Sequence, residues 1–66
     1  MKTTRYFVER RCFDPHPIWC ESAEEAIETA KTHRGTAWEH TVYRDRNGLP
    51  VNEFRKYDAD LMAWVH

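Results

Sequence analysis

The sequence predicts a single α+β domain in which one helix packs on one face of an antiparallel sheet of four or five strands. The chain has 66 residues, which suffices for one domain spanning residues 1–66. An Asn47-Gly48 pair separates two strand-like segments, and this pair is a strong hairpin signal. A helical pattern begins at Ser22, between two strand-like regions. The predicted order is β-β-α-β-β followed by a short C-terminal element.

The first two strands are predicted to form a hairpin. Residues 5–13 alternate, with Tyr6 on one face and Phe7 on the other. Residues 14–17 contain two prolines, which cannot donate to a sheet ladder, so this segment is a loop. Residues 18–21 then return as a short strand.

The helix is predicted over residues 23–34. Ser22 and Glu25 have the spacing of a capping box, in which the hydroxyl caps the Glu25 N–H and the carboxylate reaches back to the Ser22 N–H. Gly35 is a typical helix stop. One stripe of the helix consists of small and apolar residues, which allow a close approach to the sheet. They are Ala23, Ala26, Ile27 and Ala30.

The second hairpin is predicted from residues 38–45 and 49–57, joined by the turn at the Asn-Gly pair. The last segment, residues 58–66, permits two interpretations. Asp58 at its start favours a short capped helix, which is the preferred prediction. A final strand over residues 61–65 is the alternative.

Composition narrows the classes of function. The chain has 10 basic and 11 acidic residues and a net charge of −1, so no overall excess indicates a nucleic-acid-binding protein or a DNA mimic. A domain of this size has little room for a deep small-molecule pocket, which argues against an enzyme. Since neither a signal peptide nor a membrane span is recognisable, we expect a cytoplasmic protein with no membrane partner.

No metal site is predicted at the first hairpin, although Cys12, His16 and Cys20 lie close in sequence. Their spacing is not that of paired zinc ligands, and the sequence does not single out a fourth ligand among Asp14, His40 and His66. Two small buried thiols are the preferred interpretation, and a cross-strand disulfide is the alternative. Neither a catalytic residue nor a cofactor is predicted.

Charged and aromatic residues suggest two rival interaction patches. The first combines acidic residues around the helix start with two tryptophans as anchors, namely Glu21, Glu24, Glu25, Glu28, Trp19 and Trp38. The second is a basic set on the second hairpin, namely Arg44, Arg46, Arg55 and Lys56. Compensation of the helix dipole would equally explain the acidic set, and protection of edge strands would explain the basic one.

A lysine-led strand over residues 2–8 is followed by a short strand, the helix start from Glu21 to Ala26 with Ala30 and Lys31 one turn later, Gly35-Thr36, and the Asn47-Gly48 hairpin. This layout resembles compact anti-CRISPR inhibitors of type I systems, among the small anti-defence proteins carried by bacteriophages and other mobile elements. The resemblance covers residues 2–52. It implies inhibition without catalysis, by occupying a surface of a Cas complex that grips DNA, with the acidic helix start competing with phosphates.

The predicted function is therefore a non-enzymatic protein-binding module whose partner is a host protein or nucleoprotein complex. Two alternatives remain open. One is a small nucleic-acid-binding accessory domain that uses the basic and aromatic hairpin. The other is a self-associating domain, in which an edge strand pairs with its symmetry mate. The sequence allows either a monomer or a homodimer.

Overall fold

A computed structural model describes residues 1–10 and 16–66 and confirms the α+β class. All neighbouring strands are antiparallel and form one sheet in the order β2-β1-β3-β4-β5. The elements are β1 (Thr3–Glu9), β2 (Ile18–Cys20), α1 (Ala23–His33), β3 (Thr36–Arg44), β4 (Pro50–Asp58) and β5 (Ala63–Val65). Residues 11–13 of the predicted first strand lie outside the described residues.

The helix packs on one side of β1, β2 and β3. It connects β2, at the edge of the sheet, to β3 on the far side of β1, so the chain crosses β1 on that side. Among residues 1–10 and 16–66, three are fully or almost fully buried, namely Val8 on β1, Ala26 on the helix and Ala37 on β3. Because two of the three are alanines, the helix lies close to the sheet and the core is thin.

The helix begins much as its capping signal predicts. The Glu25 N–H donates to the Ser22 hydroxyl at 3.1 Å. The Glu25 carboxylate accepts a hydrogen bond from the Glu21 N–H at 2.9 Å, one residue earlier than a capping box would require. The first bond satisfies a donor that the first turn cannot pair within the helix, and the second holds the residue before the N-cap against that turn.

The helix ends at a left-handed residue, but that residue is Arg34 and not the glycine after it. Arg34 has φ 53 and ψ 40, and the Gly35 N–H donates to the Ala30 carbonyl at 2.9 Å. Gly35 is needed for space, since a Cβ there would lie 2.5 Å from the Glu9 carbonyl oxygen and 2.9 Å from Val8 Cγ1.

The second hairpin forms around the Asn-Gly pair as predicted. Asp45 N–H donates to the Leu49 carbonyl at 2.9 Å, and Gly48 N–H donates to the Asp45 carbonyl at 3.0 Å. Gly48 has φ 80, a conformation that glycine adopts without strain. The Asp45 carboxylate also accepts the N–H of Asn47, which fixes the turn.

The preference for a C-terminal helix is wrong, because the chain ends in the strand β5. Asp58 does accept backbone bonds, from Asp60 at 2.9 Å and Leu61 at 3.2 Å, but they close a turn. The strand places Trp64 against two tyrosines of the sheet. Its ring centroid lies 5.4 Å from that of Tyr57 and 5.8 Å from that of Tyr6. This packing on the sheet offsets the local preference for a helix.

Candidate binding surface

The sheet face that points away from α1 carries a row of large side chains. Since side chains alternate along a strand, the residues facing α1 on β1 are Tyr6 and Val8, and Phe7 points to the other side. The strand registers place five residues of that side in one line across the sheet, namely Trp19, Phe7, Trp38, Lys56 and Val65. We call this side of the sheet the open face.

Aromatic rings form a continuous row on the open face, from β2 to β4. Ring centroids are 5.5 Å apart between Phe7 and Trp19, and 6.4 Å apart between Phe7 and Trp38. Trp38 meets Phe54 edge-on at 6.5 Å. His40 stacks on Phe54 at 4.3 Å with an interplanar angle of 2°. We call these five side chains the aromatic row.

The aromatic row is accessible to solvent at both of its ends. Trp19 is 60% exposed and Phe54 is 47% exposed, whereas Phe7 and Trp38 between them are half-buried. The described helix lies on the opposite side and covers none of these rings. The Nε1 atom of Trp38 is buried and has no hydrogen-bond partner among the described residues, a cost that folding has to offset.

The charges at the centre of the open face are basic. Arg5 lies opposite His40 in register, and Lys56 lies opposite Trp38, so a cation flanks the aromatic row on two strands. The acidic residues that point to the same side of their strands, Glu9 and Asp58, lie at strand ends. A partner surface that fits this face would therefore be apolar in its middle and acidic beside it.

The structure separates the first predicted patch into two surfaces. Trp19 and Trp38 lie together on the open face, joined through Phe7. The acidic residues lie on α1 and directly before its N-cap, on the other side of the sheet. Two of them already have internal contacts, since Glu25 caps the helix and Glu28 pairs with Lys31 at 3.6 Å.

The predicted basic patch is also divided. Arg55 binds the Glu39 carboxylate with two hydrogen bonds of 2.8 and 2.9 Å, on the side of the sheet that faces α1. Lys56 points to the open face. Arg44 donates to the Gly48 carbonyl at 2.6 Å, and Arg46 lies exposed in the turn. These four residues therefore do not all lie on one face of the sheet.

A polar cavity of about 340 Å³ lies on the α1 side around the Arg55–Glu39 pair. Its basic and acidic side chains occur together, so it does not select for one sign of charge. The lining residues are Lys2, Thr4, Tyr6, Glu39, Thr41, Glu53, Arg55 and His66. Burial raises the pKa of Tyr6 above its ordinary value of 10.0, and the nearby Glu39 carboxylate raises this pKa further.

Alkaline pH is expected to destabilise the fold through two tyrosines. The hydrogen bond from the Tyr43 hydroxyl to Glu53, 2.8 Å long, raises the pKa of Tyr43. Because Tyr6 and Tyr43 both have folded-state pKa values above the unfolded value, the unfolded chain loses protons first as the pH rises. The free energy of unfolding should therefore fall above about pH 10, by linkage.

The measurement is urea unfolding between pH 8 and roughly pH 11, where unfolded tyrosine becomes ionised. The Tyr43→Phe variant should show a shallower alkaline decline than the wild type, because one of the two titrating groups is gone. An identical decline in both proteins would contradict this role of the Tyr43–Glu53 bond.

The first hairpin is described only in part. Cys20 is a free, half-buried thiol, with Sγ 3.7 Å from the Ile18 carbonyl oxygen. The predictions that involve Cys12, whether a buried thiol or a disulfide, fall on a residue outside the described part of the chain. Within residues 1–10 and 16–66, no group of three metal-ligating side chains comes together.

Comparisons of the chain with protein-family models, with curated proteins and with solved structures found no match. The resemblance to anti-CRISPR inhibitors therefore stays a prediction. Among the described helices, none combines the length and the apolar content that a membrane span requires.

Proposed function

We propose that this protein is a non-enzymatic protein-binding module and that the open face is its binding surface. The observation that carries the proposal is the aromatic row, which crosses four strands and is accessible at Trp19 and Phe54. Tryptophan is over-represented among the residues that dominate binding energy in protein interfaces. A rigid sheet also holds these rings in place before binding, which reduces the entropy lost on association.

The position of the aromatic row, on the side of the sheet away from α1, supports a binding role over a purely structural one. In a small domain, the aromatic residues could have been used to enlarge a thin core. Three rings do serve the core, since Tyr6, Tyr57 and Trp64 pack against it. The rings of Trp19, Phe7 and Trp38 instead line the opposite side of the sheet, which the described helix does not cover. Exposed apolar patches on monomers commonly mark interaction sites.

The charges on the open face favour a partner with an acidic rim. Arg5 and Lys56 lie beside the aromatic row, and a complementary acidic surface would orient the partner and speed association. This is a different surface from the acidic helix start that the sequence favours. We place both tryptophans in the interface, with Trp38 near its middle and Trp19 at one end, and leave Glu24 and Glu28 exposed on α1.

A host nucleoprotein complex in the cytoplasm is the partner class that the anti-CRISPR resemblance implies. In that case the protein would act by covering a functional surface of the complex and would need no catalytic residue. The aromatic row would dock on a protein subunit of the complex, because its two exposed rings and two cations suit an apolar site with acidic neighbours.

The proposal is tested by affinity capture from a bacterial lysate that contains an active CRISPR system, followed by mass spectrometry. Nuclease-treated and untreated halves are compared. Three baits are used, namely the wild type, a Trp19→Ala variant of the open face, and a Glu24→Lys/Glu28→Lys variant of the helix. The helix variant serves as a matched control, because both of its positions are exposed and lie off the open face.

Binding through the open face would be supported by a protein that is still captured after nuclease treatment and with the helix variant as bait, but is not captured with Trp19→Ala. Loss with the helix variant alone would overturn our placement of the surface and restore the acidic patch. Capture of nucleic acid alone, abolished by nuclease, would contradict a protein partner and favour stacking of single-stranded bases on the exposed rings.

A further inference from the structure

The outer edge of β4 is the longest stretch of strand edge without a pairing strand in the described structure. β4 spans Pro50–Asp58 but pairs with β5 only from Lys56 to Asp58. The side of β4 that points away from β3 is therefore unpaired over residues 50–55 among the described residues. The strands at the two ends of the sheet, β2 and β5, have only three residues each.

The backbone groups at this edge follow from the hairpin geometry. Asp45 directs both of its backbone groups towards the returning strand, because its N–H donates to the Leu49 carbonyl and its carbonyl accepts from the Gly48 N–H, so it occupies a bonded position of the ladder. Bonded and non-bonded pairs alternate along an antiparallel ladder. Asn52 and Phe54 therefore direct both their N–H and their C=O groups outward, away from β3. Pro50 directs only a carbonyl outward, because proline has no N–H.

The side chains of this edge are held on β3 and do not shield the backbone. Charged side chains on edge strands normally deter pairing with another chain. Here the side chains of four consecutive residues, 52–55, contact side chains of β3. Asn52 Oδ1 bonds His40 Nε2 at 2.8 Å, Glu53 accepts from Tyr43 at 2.8 Å, Phe54 stacks on His40 at 4.3 Å, and Arg55 bonds Glu39 at 2.8 Å. The edge thus offers ordered and unpaired donors and acceptors.

We infer that this edge pairs with the same edge of a second copy of the chain, antiparallel across a two-fold axis at Asn52. The two Asn52 residues then exchange both of their N–H to C=O bonds. Each Phe54 N–H donates to the Pro50 carbonyl of the other copy. On the open face, Phe54 lies opposite Pro50, which is an apolar contact, and on the α1 side Val51 lies opposite Glu53.

Other registers of this pairing are less favourable. A two-fold at Glu53 would set two carboxylates directly opposite each other, which is destabilising in a sheet. It would also place a strand residue of the second copy, Pro50, opposite Lys56, where Val65 of β5 already pairs, whereas the register at Asn52 brings only the turn residue Gly48 to that position. A two-fold at Phe54 intrudes further into β5, and one at Val51 leaves the outward groups of Phe54 unpaired.

The inferred dimer goes beyond the proposed function and does not depend on it. A two-fold axis perpendicular to the sheet keeps both open faces on the same side of a continuous sheet. The two aromatic rows would then form one extended surface. Partner binding and dimerisation are measured in separate experiments. A negative result in one experiment therefore does not affect the conclusion from the other.

The test is sedimentation equilibrium of the full chain over a wide range of protein concentration. The wild type should show a mass that rises with concentration from monomer to dimer. Asn52→Pro removes an outward N–H without removing a bond between β3 and β4, so it should stay monomeric at every concentration. Asn52→Ala keeps the N–H and loses only the side-chain bond to His40, so it should still dimerise.

A cross-link gives a second readout if Asn52→Pro fails to fold. In a chain with Cys12→Ser and Cys20→Ser, the Asn52→Cys variant should form an intermolecular disulfide on mild oxidation, because opposite Cα atoms of a bonded pair are about 5.5 Å apart. Glu53→Cys in the same background should cross-link far less. A wild type that is monomeric throughout, or equal cross-linking at both positions, would overturn the inference.

Discussion

Replacing Gly35 with alanine should destabilise the domain by about 1–3 kcal/mol, the usual cost of forcing an extra group into a packed site. The added Cβ would lie 2.5 Å from the Glu9 carbonyl oxygen and 2.9 Å from Val8 Cγ1. Neither neighbour can yield easily, since one is backbone and Val8 is completely buried. For a domain of this size, each kcal/mol lowers the melting temperature by roughly 4–8 °C.

A matched control distinguishes two explanations for the effect at Gly35, namely lack of space for a side chain and the left-handed conformation that ends the helix. Arg34 holds the left-handed conformation at the end of α1, so Arg34→Gly should stabilise the fold by about 0.5–1 kcal/mol. Thermal unfolding of the wild type and the two variants measures both effects. If Gly35→Ala has the same melting temperature as the wild type, the helix end does not approach β1 as closely as described.

Replacing Trp19 with alanine should weaken binding of the captured partner by about 30-fold or more while leaving the melting temperature nearly unchanged. The loss corresponds to the 2 kcal/mol or more that defines a dominant interface residue. Trp19 is 60% exposed and lies at one end of the aromatic row, so the core does not depend on it. Trp38→Ala should lower both affinity and stability, because Trp38 is half-buried and contacts Phe7 and Phe54.

Titration calorimetry with the purified partner measures these affinities, and thermal unfolding measures stability. Leu61→Ala is the control, since Leu61 is 66% exposed, equally apolar and located in the turn before β5, away from the aromatic row. It should change neither quantity. Equal losses of affinity in Trp19→Ala and Leu61→Ala would show that the aromatic row has no special role.

Local sequence signals were sufficient for most of the fold. The Ser22 and Glu25 spacing located the helix start, and the Asn47-Gly48 pair located the second hairpin, because both signals act over a few residues. The prediction of a helix for the last segment was wrong, because its strand conformation depends on packing of Trp64 against Tyr57 and Tyr6. The local capping signal of Asp58 carries no information about that packing.

The aromatic row of the open face was predictable only in its parts. Alternation separated Phe7 from Tyr6 and put Trp38 and His40 on one face of their strand. The register between β1 and β3, which brings Phe7 beside Trp38, depends on contacts far apart in sequence. The grouping of Arg55 with Lys56 failed for a different, local reason, because neighbouring residues on a strand point to opposite faces.

The central claim is that the open face is the surface that binds the partner. Hydroxyl-radical footprinting of the captured complex, read by mass spectrometry of single side chains, tests it most directly. Oxidation of Trp19 and Phe54 should fall strongly on binding, whereas Trp64, which packs on the α1 side, should be unaffected. Unchanged oxidation of Trp19 and Phe54, with protection of Trp64 and of α1 in their place, would contradict the account.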